Sequence, residues 1–494
     1  MKVLLIHLPY YRGQTWSLPL GLAYIAAVLL ETGVDVKILD INLLIIKKKY
    51  SPEILKKILE SEKFLFIGFG AVFFDFTFFQ KLSSDIKNIC PDTPQIIGGQ
   101  WASRIPELLT DNTSVDAVVL GEGEEVVLQI VDSLCNKKPI DRLQYVHVKN
   151  KVFVNEFASV KDLNKIPLPA RHLFDMNSQR KEMWANDPML PFAAVLATRG
   201  CVYNCVFCKP LGGRVMRSRN PDNIIKELIE LNRKYGIKYF RFNDEVFLGS
   251  NTKVIEFCDA LEKSGLKIVF AIWSWSTVLS EAVIRRLKDV GCNLIQVGIE
   301  SGSPTILKEM DKVQNLQSAR KQIELLSENG IRCGSGFLTG TPGETIGTLR
   351  ETKEYLKGLN SIRNFSLPQI HTIKFFVGTP LYNIAKQKGF IQSDLEIVKE
   401  SDKNQMFIFI NLTNMNVAEY MKELKKINSE LRLDYYLKHK SRIVKAILRA
   451  TLIDYKNLFK YMSFKDVDVI VFKFITVLRD ELNSIGSKIR NLKL

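Results

Sequence analysis

The feature that most constrains the fold is a repeated alternation. Over roughly the first 395 residues, short apolar runs of strand length are each followed by a longer segment with helical spacing. KVLLIHL stops at Pro9. PLGLAYIAAVLLETG then spaces its apolar residues for a helix and closes on Gly33. VDVKILDIN, FLFIGFGAVF, PQIIGGQ and DAVVLGEGEE follow as strands, with a helix expected over 78–88. Strands that alternate with helices favour a parallel, doubly wound sheet. Such sheets bind ligands at the carboxyl ends of their strands. Three glycine turns fall at those ends: Gly68/Gly70, Gly98/Gly99 and Gly121/Gly123.

A second alternation begins at PFAAVLATRG. Its strand candidates are AAVLAT, KYFRFND, KIVFAIWS, LIQVGIE, CGSGFLTG and IHTIKFFV, separated by helices such as PDNIIKELIELNRKYG and EAVIRRLKDVG. Six strands predict an incomplete α/β barrel, because a full eightfold barrel takes about 250 residues. Between the two alternations, LNKIPLPARHLFDM reads as a linker. The organisation expected is a Rossmann-like domain over 1–142, a linker over 143–190, a partial (β/α)6 TIM-type barrel over 191–395 and a basic helical region over 396–494. Residues 421–494 hold 17 basic and 8 acidic side chains, in helices with one apolar and one basic face.

A length of 494 residues fits about three domains. A charged fraction of 25% makes disorder or coiled coil a poor description of the whole. No apolar run reaches the roughly 20 residues that span a bilayer, and MKVLLIHLPYYRG is cut by Pro9 and Arg12 too early for an export signal. We therefore expect a soluble, cytoplasmic protein. A net charge of +16 is compatible with nucleic acid, an anionic membrane, an acidic substrate or simply a lysine-rich proteome. No nucleic-acid-binding module is recognisable, so no nucleic-acid partner is expected.

The sharpest chemical signal is Cys201-Val-Tyr-Asn-Cys205-Val-Phe-Cys208. It follows the first barrel strand, at the end where barrel enzymes keep their chemistry. Soft thiolates suit iron–sulfur clusters and zinc. Structural zinc takes four ligands, usually from paired motifs, and no second pair or close histidine is present. Three ligands on one loop leave one iron of a four-iron cluster open. A zinc site completed from afar, or three unrelated cysteines, are the alternatives.

At this point the chain resembles the radical S-adenosylmethionine (SAM) superfamily, which holds a [4Fe–4S] cluster on a Cys-x3-Cys-x2-Cys loop. The resemblance implies that Cys201, Cys205 and Cys208 ligate three irons and that SAM chelates the fourth, where its reductive cleavage yields a 5′-deoxyadenosyl radical. It implies an adenine contact for Phe207. RFNDEVF looks like the segment that meets the SAM amino group, with Asp244 and Glu245 in that role, although the usual Gly-Gly-Glu is absent. QVGIESGS looks like the ribose and carboxylate segment, with Glu300 as a contact. GFLTGTPGET resembles a later turn beside the adenine, carried by Pro342 and Gly343. Any one of these turns is commonplace alone, and Glu300 or Glu344 could simply cap a helix.

The amino-terminal segment resembles the cobalamin-binding domain that precedes the barrel in one large radical SAM subgroup; the likeness covers about residues 1–395. It implies that the cobalamin tail slots between sheet and helices, with Gly68, Gly70, Gly98, Gly99, Gly121 and Gly123 letting the backbone approach it. Tight turns in any doubly wound fold are the plainer reading. The Asp-x-His-x-x-Gly motif that ligates cobalt in many such domains is missing. His7 reads as a core residue. The activity implied is cobalamin-dependent methyl transfer to an unactivated carbon after hydrogen abstraction. FFDFTFF (73–79) is expected either to line a dry pocket or to be plain core. Cyclisation or rearrangement with the same cofactors is the nearest rival. A tRNA methylthiotransferase would need three more amino-terminal cysteines, and only Cys90 and Cys135 precede the loop. A non-catalytic corrinoid carrier would not need the three loop cysteines. The partners implied are a small-molecule or lipid-like substrate and an electron donor such as flavodoxin or ferredoxin. The basic tail, including SRIVKAILRATLIDYKNLFKYM, is expected either to cover the active site or to rest on the inner face of an anionic membrane.

Overall fold

The computed structural model describes residues 1–9, 18–152, 156–178, 192–210, 212–275, 279–312, 314–403 and 408–439. The chain divides into two compact units, Met1–Leu431 and Arg432–Leu494. Of the second, only the first residues are described, and they continue the helix Val417–Lys438. The expected membrane-resting or lid-forming segment 441–462 lies outside the described residues.

The first sheet contains β1 (Lys2–His7), β2 (Asp35–Asp40), β3 (Ile67–Gly70), β4 (Gln95–Gly98), β5 (Ala117–Val119) and β6 (Val146–His147), in the order β2-β1-β3-β4-β5-β6. The first five are parallel, and β6 runs antiparallel to β5. Sequence reading placed 143–190 in a linker. Two residues are too short to show a period, so β6 carried no signal of its own. The strand order reverses at β1, which lies between β2 and β3, and there His7 pairs with Gly70. In doubly wound folds that reversal opens the ligand crevice at the carboxyl ends. His7 is buried inside β1 and contacts Asp40 Oδ1 at 2.9 Å, as a core histidine does.

The barrel sheet contains β7 (Phe192–Val195), β10 (Tyr239–Phe242), β11 (Val269–Trp275), β12 (Cys292–Glu300), β13 (Arg332–Thr339) and β14 (Ile370–Thr372). All six are parallel and stand in chain order, with β7 and β14 at the two edges. Between β7 and β10 a small antiparallel ladder joins β8 (Thr198–Arg199) to β9 (Arg217–Ser218). Each expected barrel strand is present. The crossover helices start where side chains satisfy free amides: Ser250 accepts from Lys253, Ser280 from Val283, Asn315 from Ser318, and Thr345 from Thr348.

The period of two along the barrel strands divides their side chains. Val195, Phe240, Phe242, Phe270, Ile272, Ile295, Val297 and Phe337 join the helices in one large core. Phe192, Tyr239, Ala271 and Leu294 form a small floor inside the barrel. Above that floor, Arg241, Trp273, Gln296, Gly334 and His371 line a cavity of about 420 Å3.

A second core joins the other face of the first sheet to the segment that follows the barrel. Leu4, Ile6, Phe69, Phe74 and Phe79 pack with Ile373, Phe375, Val377, Leu381, Tyr382, Val398, Ile410 and Leu412. The 373–412 stretch thus straddles residue 395 and closes back on the amino-terminal domain. Asp402 anchors it by accepting from the Phe76 and Thr77 amides, each at 2.9 Å. Phe74, Phe76 and Phe79 of FFDFTFF are fully buried core residues. Further on, Tyr420, Leu424, Ile427 and Leu431 repeat at helical spacing and dock on the barrel core. Asn428 exchanges two hydrogen bonds of 2.9 Å with Ile370 at the edge of β14, so that edge is capped.

Candidate active site

The cysteine loop is a closed hairpin rising from β7. The β8–β9 ladder pairs Thr198 with Ser218 and Arg199 with Arg217, so residues 200–216 leave and return at one point. Gly200 sits at φ +89°, and a Cβ there would stand 2.2 Å from the Val215 carbonyl oxygen. Only glycine makes this turn without strain. Inside the loop the Cys201 amide donates to Gly213 and the Cys208 amide to Cys205. The loop is tied to its surroundings at Val206, whose amide donates to Met310 and whose carbonyl accepts from Leu381.

Cys205 is buried, and Cys201 and Cys208 are half-buried. Burial raises all three thiol pKa values, with Cys208 pushed up to about 11. The neighbouring Cys205 and Cys201 raise Cys208 further. Among the described residues no three His, Cys, Asp or Glu side chains converge on a single ion position. A cubane would take one thiolate per iron, so its three ligands need not meet at a single ion. Binding iron would also compensate the thiols for losing their protons.

A row of side chains runs from the loop into the barrel mouth. Tyr203 stacks on Trp275 with ring centroids 3.5 Å apart. Lys312 Nζ lies 4.1 Å from the Trp275 centroid and donates to Glu300 Oε1 at 3.0 Å. Lys312 is itself buried, and its charge lowers the pKa of both Cys201 and Cys205 against the rise from burial. Glu300 ends β12 at φ +70°, a strained conformation for a non-glycine residue. Sequence reading found Glu300 but missed Lys312, Trp275 and Tyr203. Nothing in KEMDKV marks a lysine that folds back twelve residues onto a glutamate.

Asp244 and Glu245 divide their work. Asp244 is buried, and its Oδ1 accepts from Ala197 at 2.9 Å and Thr198 at 3.1 Å, fastening the start of the loop to β10. Burial holds its carboxyl well above the usual range. Glu245 is raised by burial too, while the Gly200 amide bonds its carboxylate, and it raises Cys201 in turn. Pro342 and Gly343 form the tip of a turn whose base is held by Glu344, which accepts from Gly340 at 3.0 Å and Thr348 at 3.2 Å. Phe207 packs beside the core shared by the first sheet and the 373–412 segment.

The amino-terminal glycines, expected to let a cofactor approach the backbone, are also closely packed by the chain itself. A Cβ at Gly68 would stand 2.7 Å from Leu5, at Gly70 2.8 Å from Leu22, at Gly99 2.7 Å from the Ala71 carbonyl and at Gly121 2.4 Å from the Ala158 carbonyl. Their lack of side chains is used for the chain's own packing. Gly123 meets Ile25 at 3.0 Å, and only Gly98, with Val119 at 3.6 Å, has ordinary space. The loop after β1, residues 10–17, lies outside the described residues.

Residues 195–356 match the radical SAM superfamily, and residues 15–131 match the B12 binding domain. The chain is 28% identical over 379 residues to an uncharacterized methyltransferase, PH0819, of Pyrococcus horikoshii, covering 73% of this chain and 78% of that one. It is 25% identical to the anaerobic magnesium-protoporphyrin IX monomethyl ester cyclase of Rubrivivax gelatinosus, covering 73% and 66%. It is 24% identical to the cytidylyl-2-hydroxyethylphosphonate methyltransferase of Streptomyces wedmorensis, covering 82% and 84%. Among solved structures, the cobalamin-dependent SAM radical enzyme OxsB with aqua-cobalamin bound shares the fold, with a TM-score of 0.68 at 16% identity over 98% of this chain and 80% of that one.

Fold, loop and matches together define the class: an enzyme with a B12-binding domain followed by a radical SAM barrel. More narrowly, the chain is a cobalamin-binding radical SAM enzyme, and its cofactors are a [4Fe–4S] cluster, SAM and cobalamin.

Proposed function

We propose that this enzyme transfers a methyl group to an unactivated carbon of a small molecule. The observation that carries the reading is the juxtaposition of a partly buried three-thiol loop with the crevice-forming domain that precedes it, in a chain whose relatives include two named methyltransferases. When bound, the cluster with SAM supplies a hydrogen-abstracting radical, and the corrinoid supplies a transferable methyl group.

In this reading Cys201, Cys205 and Cys208 hold three irons. Asp244 and Glu245 would together meet the amino group of SAM; Asp244 Oδ1 serves the loop backbone, while its Oδ2 is buried without a hydrogen-bond partner among the described residues. The buried Glu300–Lys312 pair meets the polar groups of SAM on the far side, with Lys312 neutralising a carboxylate and Glu300 accepting hydroxyl protons. The Pro342–Gly343 turn and Phe207 bound the adenine. The stacked rings of Tyr203 and Trp275 would wall the reacting end on that side. The barrel cavity, lined by Arg241, Gln296 and His371 together with Ile272, Trp273, Leu294 and Leu367, can take a small molecule with both polar and apolar parts. A low-potential protein of the flavodoxin or ferredoxin type would supply electrons.

Protein reconstituted without oxygen, given cobalamin and SAM with a deuterated methyl group, should transfer label to product. Formation of 5′-deoxyadenosine with no labelled product would instead favour the cyclisation reading, which the cyclase relative keeps open. The three cysteine-to-serine variants should each lose iron and 5′-deoxyadenosine formation together.

A further inference from the structure

We propose that Glu122, in the turn after β5, and Glu124, the first residue of the helix Glu124–Cys135, are positioning residues that hold the cysteine loop from the amino-terminal domain through Arg199 and Arg217. The inference rests on the reading of that loop as the cluster site and adds to it a control from a different domain.

Arg199 and Arg217 stand directly opposite each other on the ladder that closes the loop. Two like charges at such a site repel and splay the strands. Glu122 grips Arg217 with both oxygens, at 2.8 and 2.9 Å, and lies 3.7 Å from Arg199. Glu124 takes Arg199 at 2.7 Å. All four side chains are largely buried, so these pairs are poorly screened. Bidentate geometry adds direction to the attraction.

The grip extends into the loop. Arg217 Nη2 donates to the Gly212 carbonyl at 2.9 Å, and the next carbonyl, that of Gly213, accepts from the Cys201 amide at 3.3 Å. Gly212 leaves no room for slack: a Cβ there would stand 2.8 Å from Arg217 Nη2, 2.9 Å from the Gly200 amide nitrogen and 3.3 Å from Glu122 Oε1. Glu122 is fixed on its own side by the Val160 amide at 2.6 Å. A continuous polar chain thus runs from the amino-terminal domain to Cys201. Gly121 and Gly123 flank Glu122, and the Gly121 turn packs against Ala158, where a Cβ would stand 2.4 Å from the carbonyl oxygen.

The test compares full-length parent, Glu122→Gln, Glu122→Asp and Glu124→Gln, all purified without oxygen in the presence of cobalamin. Iron per chain, bleaching of the cluster absorbance in air, the electron paramagnetic resonance line shape after reduction, bound corrinoid and Tm are read on each. Glu122→Gln should bleach about tenfold faster and change its line shape while keeping its corrinoid. Glu122→Asp keeps the charge but loses reach, so it should recover only part of the parental behaviour. Glu124→Gln frees only Arg199, which still has Glu122, and should show a smaller effect of the same kind; it carries the test if Glu122→Gln does not fold. Parental line shape and bleaching in all variants, with or without a lower Tm, would overturn the inference. A parent that binds no cluster would instead refute the reading on which it rests.

Discussion

Glu227→Gln probes the ion cluster beneath the loop. Glu227, on the helix Pro221–Tyr235, is 2% exposed. Arg171 and Arg219 each reach one of its oxygens at 2.5 Å. Arg171 comes from the stretch expected to be a linker, and Arg219 follows β9. The same Arg171 nitrogen also donates to Ala194, but its Nε and Nη1 have no hydrogen-bond partner among the described residues. Glu227 is therefore its principal compensation. Removing one partner of a buried ion pair costs about 3–5 kcal/mol. At about 2.1 cal/mol/K per residue, a cooperative unit spanning Met1–Leu431 shifts by about 1 °C per kcal/mol, so the variant should melt roughly 3–6 °C lower at pH 7. The pH dependence adds a signed test. Burial alone would raise the Glu227 pKa, but the two arginines overcome it and hold it below the usual carboxylate value of 4.5. Its contribution is thus fully present above that value and fades as pH falls through the folded-state value. The gap in Tm between parent and variant should narrow in acid. A loss under about 2 °C at neutral pH, or a gap that widens in acid, would refute the reasoning.

Three further outcomes are expected. Gly200→Ala forces a Cβ to within 2.2 Å of a backbone oxygen at φ +89°, so it should lower Tm through about 1–3 kcal/mol of strain and halve iron content or worse; full iron loading would show that the turn is not required. Lys312→Met leaves Glu300 without its cation and should weaken SAM binding about tenfold or more in equilibrium dialysis, with iron content unchanged; an unaltered Kd would remove Lys312 from the site. Asp402→Asn weakens the anchor on Phe76 and Thr77, costing about 1 kcal/mol as lost helix caps do, and limited proteolysis should then cut within 373–412 faster than in the parent.

Much of the architecture was legible because it depends on local periodicity. The barrel strands from AAVLAT to IHTIKFFV carry runs that only buried parallel strands favour, and the helices between them carry their own caps. The cysteine loop was legible because three soft ligands in eight positions have few other uses. The short strand β6 was not, since two residues show no period. Nor was the return of 373–412 onto the first sheet, since its apolar residues say that they are buried but not against what.

The site divides in the same way. Ligand-type residues at fixed spacing, Cys201, Cys205 and Cys208, and the acidic residues after the barrel strands could be named from the chain alone. Their partners could not. Lys312 reaches Glu300 around a turn, Trp275 reaches Tyr203 across the barrel mouth, and Glu122 reaches Arg217 across 95 positions. A linear pattern records which groups a chain possesses and how they repeat. Which charge neutralises which, and whether a glycine opens space for a ligand or for its own neighbour, depends on distances that arise only when separate elements pack.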